Sequence, residues 1–246
     1  MNSAYPPILF EDNHLIVALK PPRLLTQADS TGDSDMLSLL KAYVKEKYDK
    51  PGDAFLGLVH RMDRPVGGLL VFARTSKAAA RLSLQLREDR LSREYVLVCR
   101  GETPDRFTLK DYLVKDAASN TVRVIPSYLK LQGKEAVLFG QTIAHSDEKS
   151  LVAVRLLTGR AHQIRAQMAH FGHPLLGDVR YNPFDPEGLI ALWGMRLSLF
   201  HPVTDKSMLF ICAPATLPEQ FPHSAHFDAY RRELEGLTRV WPDIAP

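Results

Sequence analysis

The chain has 246 residues, 45% hydrophobic and 24% charged, the balance of an ordinary folded protein with enough length for a substantial core. A formal net charge of +3 is too small to point to an anionic partner by itself, and only two cysteines, Cys99 and Cys212, argue against a disulfide framework and for a reducing compartment. No apolar stretch approaches membrane-spanning length, and Met1 to Pro7 lacks the basic start and apolar centre of a signal peptide.

Ile8 to Phe10 and His14 to Leu19 read as two short strands around the turn Glu11-Asp12-Asn13. Lys20-Pro21-Pro22 stops the second, because proline lacks the donor a strand ladder needs. Ser34 is the expected cap of a helix from Asp35 to about Lys47, with Met36, Leu37, Leu40 and Val44 on its buried face. Leu69 to Arg74 is a near-continuous apolar run, as expected of a strand buried on both faces. Thr75 is placed to cap a helix from Ser76 to about Asp89.

A strand over Arg93 to Arg100 follows. Further β-like segments run over Phe107 to Val114, Thr121 to Ile125, Lys134 to His145 and Ser150 to Leu157. Thr158-Gly159 opens a helix over Arg160 to about His170, which Phe171-Gly172 ends. Leu189 to Phe200 and Met208 to Cys212 read as late strands, and Ser224 to Leu237 as a C-terminal helix. Many antiparallel-style strands with few helices predict an α+β fold. No repeat or linker-like stretch is visible, so residues 1–246 read as a single catalytic-size domain.

Two polar clusters interrupt this pattern. The first is His60-Arg61-Met62-Asp63-Arg64-Pro65-Val66-Gly67-Gly68, where one carboxylate sits among cations that keep it ionised. A loop at strand ends is a common place for chemistry, and Pro65 with Gly67-Gly68 equally suits a surface turn. From His60 to Arg93, Arg61, Arg64, Arg74, Lys77, Arg81, Arg87, Arg90 and Arg93 outnumber Asp63, Glu88 and Asp89. That excess is either a binding face or a solvated helix face.

The second cluster is Thr158 to Arg165. On a helix, His162 and Arg165 share a face with Ala166 and Ala169. An arginine on a buried face needs an anionic partner, for which Asp63 is one candidate; an ordinary solvent-facing helix is the plain alternative. Tyr95 reads as a strand tyrosine. The spacing of His162, His170 and His173 does not suit a metal site. No Walker loop, GxGxxG turn or GxSxG elbow is present, which argues against nucleoside triphosphate, dinucleotide and α/β-hydrolase chemistry.

Several segments together resemble the RluA-type pseudouridine synthase family. His60 to Leu70 is similar to the catalytic motif HRLDxxTSGLL, and Ser92-Arg93-Glu94-Tyr95 to the family's Lys/Arg-x-Tyr strand. Leu157 to Arg165, followed by His173-Pro174-Leu175-Leu176-Gly177-Asp178, is similar to LxTGRxHQIR…HPxxGDxxY. Ile16 to Pro22 and Gly133 to Ala136 also fit, in the expected order, over about residues 8 to 217. Met62 stands for leucine, Val66-Gly67 for Thr-Ser, and Trp193-Gly194 where many members have His-Ala.

The resemblance implies a pseudouridine synthase catalytic fold. That fold is a mixed, mostly antiparallel central sheet flanked by helices and loops around an RNA-binding cleft, here without an N-terminal S4 domain. It implies isomerisation of specific uridines to pseudouridine in tRNA or rRNA. Asp63 is then the nucleophile at C1′ or C6, Tyr95 assists removal of the C5 proton, and Arg165 keeps Asp63 ionised. His60, Arg61, Arg64, Arg160, His162, Gln163, Lys77 and Arg81 are expected to bind substrate, Arg61 at the flipped base, with Arg74 joining Lys77 and Arg81 on phosphates. No metal, nucleotide or other cofactor is implied, and a cytoplasmic monomer acting on an RNA stem-loop, with no membrane partner, is expected. A non-catalytic RNA-binding module on the same scaffold is the alternative.

Overall fold

In the computed structural model, residues 5–49, 51–185, 188–214 and 221–244 are described. The strands are β1 (Ile8–Glu11), β2 (Leu15–Lys20), β3 (Gly57–Leu58), β4 (Gly67–Ala73), β5 (Ser92–Arg100), β6 (Arg106–Asp116), β7 (Thr121–Ile125), β8 (Lys134–Ser146), β9 (Lys149–Leu156), β10 (Leu192–Phe200) and β11 (Ser207–Ile211). The helices are α1 (Met36–Lys47), α2 (Ser76–Arg87), α3 (Gln163–His170) and α4 (Arg231–Arg239). This is the α+β class that the strand-rich pattern predicts.

The chain forms two compact units, each built from two separate segments. One holds Met1–Ser92 with Arg196–Ile211, the other Arg93–Met195 with Cys212–Pro246. The division falls at Ser92 and inside β10, both regular strands, so no Gly- or Pro-rich linker marks it in the sequence.

In the first unit, β2 pairs antiparallel with β4 from Leu15↔Ala73 to Lys20↔Gly68. Both strands are buried along their whole length, as expected for their apolar runs. The last residue of β2 is nevertheless a lysine, and Lys20 is fully buried. Helix α1 buries Met36, Leu40 and Val44, while Leu37 is only half-buried. Its cap is Asp35 rather than Ser34: Asp35 is extended, and its carboxylate accepts from the Ser38 amide at 3.0 Å. Thr75 caps α2 as expected, accepting from the Ala78 amide at 3.1 Å. Buried Gln85 on α2 is satisfied at both ends of its amide by the backbone of Phe200, at 2.8 and 2.9 Å.

In the second unit, β5, β9, β8, β6 and β7 pair antiparallel in that order. Helix α3 starts at Gln163, three residues later than the sequence suggests. Residue His162 is its cap and adopts the left-handed conformation, φ +49°. His162 and Arg165 therefore do not share a helical face. Gly159 is not left-handed. A Cβ there would lie 2.6 Å from the Arg93 guanidinium, which would have to shift to admit it. The expected C-terminal helix begins as a 3-10 turn over Ala225–Tyr230 before α4. Both cysteines are free. Burial pushes the Cys99 thiol up to about 12 and the Cys212 thiol to about 11, so both are chemically quiet.

Candidate active site

Within the first unit, Asp63 sits on a loop that backbone bonds hold in place on both sides. Immediately before it, Met62 is stapled by the Thr26 hydroxyl, which donates to the Met62 carbonyl at 2.8 Å and lies 3.2 Å from the Met62 amide. Immediately after it, the Asp63 carbonyl accepts from the Val66 amide at 3.0 Å, closing a turn around Arg64-Pro65. The Lys20 ammonium donates to the carbonyls of Arg64 and Pro21, both at 3.1 Å. Gly68, at φ +133°, takes the chain from the loop into β4 with a backbone that side-chain-bearing residues rarely adopt. A half-buried carboxylate is thus presented on a fixed backbone.

Electrostatics match this geometry. Burial pushes the Lys20 amine down to about 7; the attraction of Asp63 opposes the fall and the repulsion of Arg64 adds to it. Lys20 and Asp63 therefore interact as charges, and Lys20 is a site residue that the sequence reading missed. Its signal is a lysine closing a wholly apolar strand, inside the segment Ile16 to Pro22 that resembles the family.

The other expected residues of this unit differ in kind. Arg61 is exposed. His60 is buried, with its Nε2 accepting from the Val71 amide at 3.4 Å, so it props β4 rather than facing solvent. Arg64 is exposed and pairs with Asp33 at 2.7 Å, while its Nε donates to the Arg23 carbonyl. Lys77 and Arg81 lie on the exposed face of α2, and Arg81 reaches the Pro202 carbonyl at 2.5 Å. Arg74 is engaged within the protein and does not lie on the exposed face with Lys77 and Arg81. Its side chain is 7% exposed, pairs with Glu11 at 3.2 Å and stacks 4.3 Å from the Tyr48 ring centroid.

Within the second unit, Tyr95 is buried on β5 opposite Val154. Arg165 is buried on α3, and its fork grips Asp178: Nε donates to Oδ2 at 2.8 Å and Nη2 to Oδ1 at 2.7 Å. The buried-face arginine carries an anionic partner, Asp178, which follows it by 13 residues. Asp178 also heads the turn 178–182, accepting from the amides of Arg180 and Tyr181. That turn places the Tyr181 ring 5.1 Å from the Arg165 guanidinium and its hydroxyl 2.9 Å from His162 Nδ1.

Gln163 is a scaffold residue: its Oε1 accepts from the Thr158 hydroxyl and the Arg160 amide, and its Nε2 donates to the Val137 carbonyl. Buried and fully engaged, it shapes the Thr158-Gly159-Arg160 turn. Arg160 is exposed, and its Nε donates to the Glu135 carbonyl at 2.8 Å. Among the described residues, no group of three or more His, Cys, Asp or Glu side chains could hold a metal ion. No helix there is long and apolar enough to cross a membrane.

Residues 14–170 match the family described as RNA pseudouridylate synthase. An uncharacterized RNA pseudouridine synthase of Bacillus subtilis is 34% identical over 219 residues, covering 86% of this chain and 68% of the relative. Ribosomal large subunit pseudouridine synthase D of Salmonella typhimurium is 34% identical over 220 residues, covering 82% of this chain and 64% of that protein. The chain thus spans about two thirds of the length of these curated relatives. In fold it is similar to human RNA pseudouridylate synthase domain containing 4, with a TM-score of 0.71 at 19% identity and 93% coverage of each chain.

Proposed function

Because the chain belongs to the RNA pseudouridylate synthase family, we propose that it isomerises uridine to pseudouridine in folded RNA with Asp63 as the nucleophile. The observation that carries this is the Asp63 loop. A half-buried carboxylate stands on a backbone held by Thr26 and Lys20, with the Lys20 charge beside it.

Those features suit the chemistry. An ionised carboxylate can attack C1′ of the nucleotide or C6 of its base and can leave again. The N1–C1′ bond breaks, the base turns, and a C5–C1′ bond forms. The C5 proton is lost and N1 gains one, so the product is an isomer and no electrons are exchanged with another reagent. The fixed backbone lowers the entropic cost of aligning the nucleophile.

The resemblance assigns Tyr95 to removal of the C5 proton and gives Arg165 an electrostatic part in the same reaction. The Arg165–Asp178 fork fixes the direction of the guanidinium, and burial of both groups keeps it fixed. Arg61, exposed two residues before Asp63, suits a role at a base drawn out of its stack. Lys77 suits a phosphate contact. Relatives named for the large ribosomal subunit make ribosomal RNA the first substrate to test, with tRNA next. A cytoplasmic monomer remains part of this reading.

The test is tritium release from RNA labelled at C5 of uridine. Wild type releases label, and Asp63→Asn slows release by about three orders of magnitude or more while still binding RNA. An Asp63→Asn variant with wild-type rate removes the nucleophile assignment. Wild type that binds RNA yet releases no label from any cellular RNA supports a binding module instead.

A further inference from the structure

The first unit carries a concave site at the end of β2 opposite to the Asp63 loop. Lys20, at one end, holds Arg64; Asp12 and His14, at the other, form the turn before Leu15. β2 has six residues, so at roughly 3.3 Å each its ends are about 17 Å apart. There the β1–β2 turn and the 201–206 turn border an open cleft of about 510 Å3.

The cleft has one apolar side and one polar side. Phe10 and Met208 supply the apolar side, with Phe10 supported by the Phe210 ring at 5.8 Å. The polar side offers the His14 imidazole, the Lys206 ammonium and the hydroxyls of Thr204 and Ser207. Among the described residues, none of these groups makes a side-chain hydrogen bond.

A carboxylate also lines the cleft, with both of its oxygens engaged by donors. Asp12 accepts from the His14 amide at 2.7 Å, the Leu15 amide at 2.9 Å and His201 Nε2 at 2.7 Å. His201 Nδ1 in turn accepts from the amides of Val203 and Thr204, at 3.2 and 3.0 Å. Both histidine nitrogens are thus committed, and the Asp12–His201 pair braces the two turns. The cleft keeps a net offer of donors: one ammonium, one imidazole and two hydroxyls facing an aromatic-lined wall.

That combination fits a nucleotide. A planar base is taken up by an aromatic face, which is tolerant of base identity. A phosphate is taken up by lysine, histidine and hydroxyl donors. We propose that this cleft is an accessory nucleotide site that holds one unpaired nucleotide of an RNA other than the uridine at Asp63. Phe10 and Met208 contact its base, and Lys206 with His14 contact its phosphate. The choice of RNA over a free nucleotide rests on the function proposed above.

The experiment uses the full chain and a fluorescent pentauridylate carrying one 4-thiouridine. Wild type is expected to bind it and to cross-link at residues 8–14 or 201–208. Lys206→Glu, a change at an exposed position, is expected to weaken binding about tenfold at low salt and to suppress that cross-link. On structured RNA it raises KM and leaves kcat unchanged. Competition by pentauridylate but not by UMP identifies an RNA nucleotide; equal competition by UMP overturns that choice in favour of a free nucleotide. Cross-links confined to other residues, with Lys206→Glu and His14→Ala binding like wild type, overturn the site itself. Cross-linking in the cleft without any pseudouridine formation would remove only the catalytic reading.

Discussion

The Lys20 ammonium donates to the carbonyl of Arg64 at 3.1 Å, so a fully buried charge is tied to the residue that follows the candidate nucleophile. Burying an ammonium is costly, and the cost is offset here by two carbonyls and the nearby Asp63 carboxylate. Lys20→Met keeps the stem volume and removes the charge. The expected result is a fall in kcat of about tenfold to a hundredfold with little change in RNA affinity, from loss of a charge-assisted bond of about 1.5–3 kcal/mol. Single-turnover kinetics on a modified RNA measures it.

The same pair predicts a pH dependence. Burial lowers the Lys20 amine from 10.5 to about 7. Raising the pH through 7 therefore neutralises Lys20 and withdraws positive charge from Asp63. The wild-type rate is expected to fall across this range, and Lys20→Met to be flat there. The stability sign is opposite. Because the folded value lies below the unfolded one, the unfolded chain binds more protons between about 7 and 10.5. Lys20 thus adds stability as pH rises through that window, and below about 7 its burial penalty is present in full. A rate limb near pH 7 that persists in Lys20→Met would assign the titration to another group.

Thr26 tests the loop from its other side. Its hydroxyl engages both backbone groups of Met62. Thr26→Val keeps the shape and leaves a buried carbonyl without this donor. A loss of about 1–3 kcal/mol in denaturant unfolding is expected, with kcat reduced more than KM is raised. Unchanged stability would mean that the loop repacks around the lost bond.

Much of this was readable in the chain, and the unread part has a common cause. The Asp63 loop announced itself because charge, proline and glycine interrupt two apolar runs. Thr75 was readable as a cap because capping is local. The contacts of Thr26, Lys20 and Asp178 were not, because each acts on a residue that is 13 to 44 positions away. His162 was placed on the helix because periodicity does not report one left-handed residue. Arg74 passed for a surface cation because its partner Glu11 lies on a different strand.

Arg165 and Asp178 form a buried pair, with side chains 5% and 0% exposed. Asp178→Asn keeps the shape and removes the anionic partner of this fork. Removing one partner of such a pair costs about 3–5 kcal/mol. Calorimetry should show a large drop in Tm for Asp178→Asn. The double change Arg165→Met with Asp178→Leu should recover much of it, since both charges of the pair are then removed together. Recovery of stability without recovery of activity would separate folding from function at Arg165.

Tyr181 links this pair to His162. Its hydroxyl accepts from the Val122 amide at 2.8 Å and lies 2.9 Å from His162 Nδ1. A proton donated from that hydroxyl to Nδ1 places the imidazole proton on Nε2, on a residue whose backbone is left-handed at φ +49°. Such a conformation in a non-glycine residue costs energy of order 1–3 kcal/mol and persists where its surroundings enforce it. Tyr181→Phe keeps the ring near Arg165 and removes only the hydroxyl. Loss of about 1–2 kcal/mol is expected, together with a mixture of His162 tautomers in 15N spectra at a pH where the ring is neutral. If the tautomer stays at Nε2–H in Tyr181→Phe, the left-handed backbone, and not the hydroxyl, is what orients the ring.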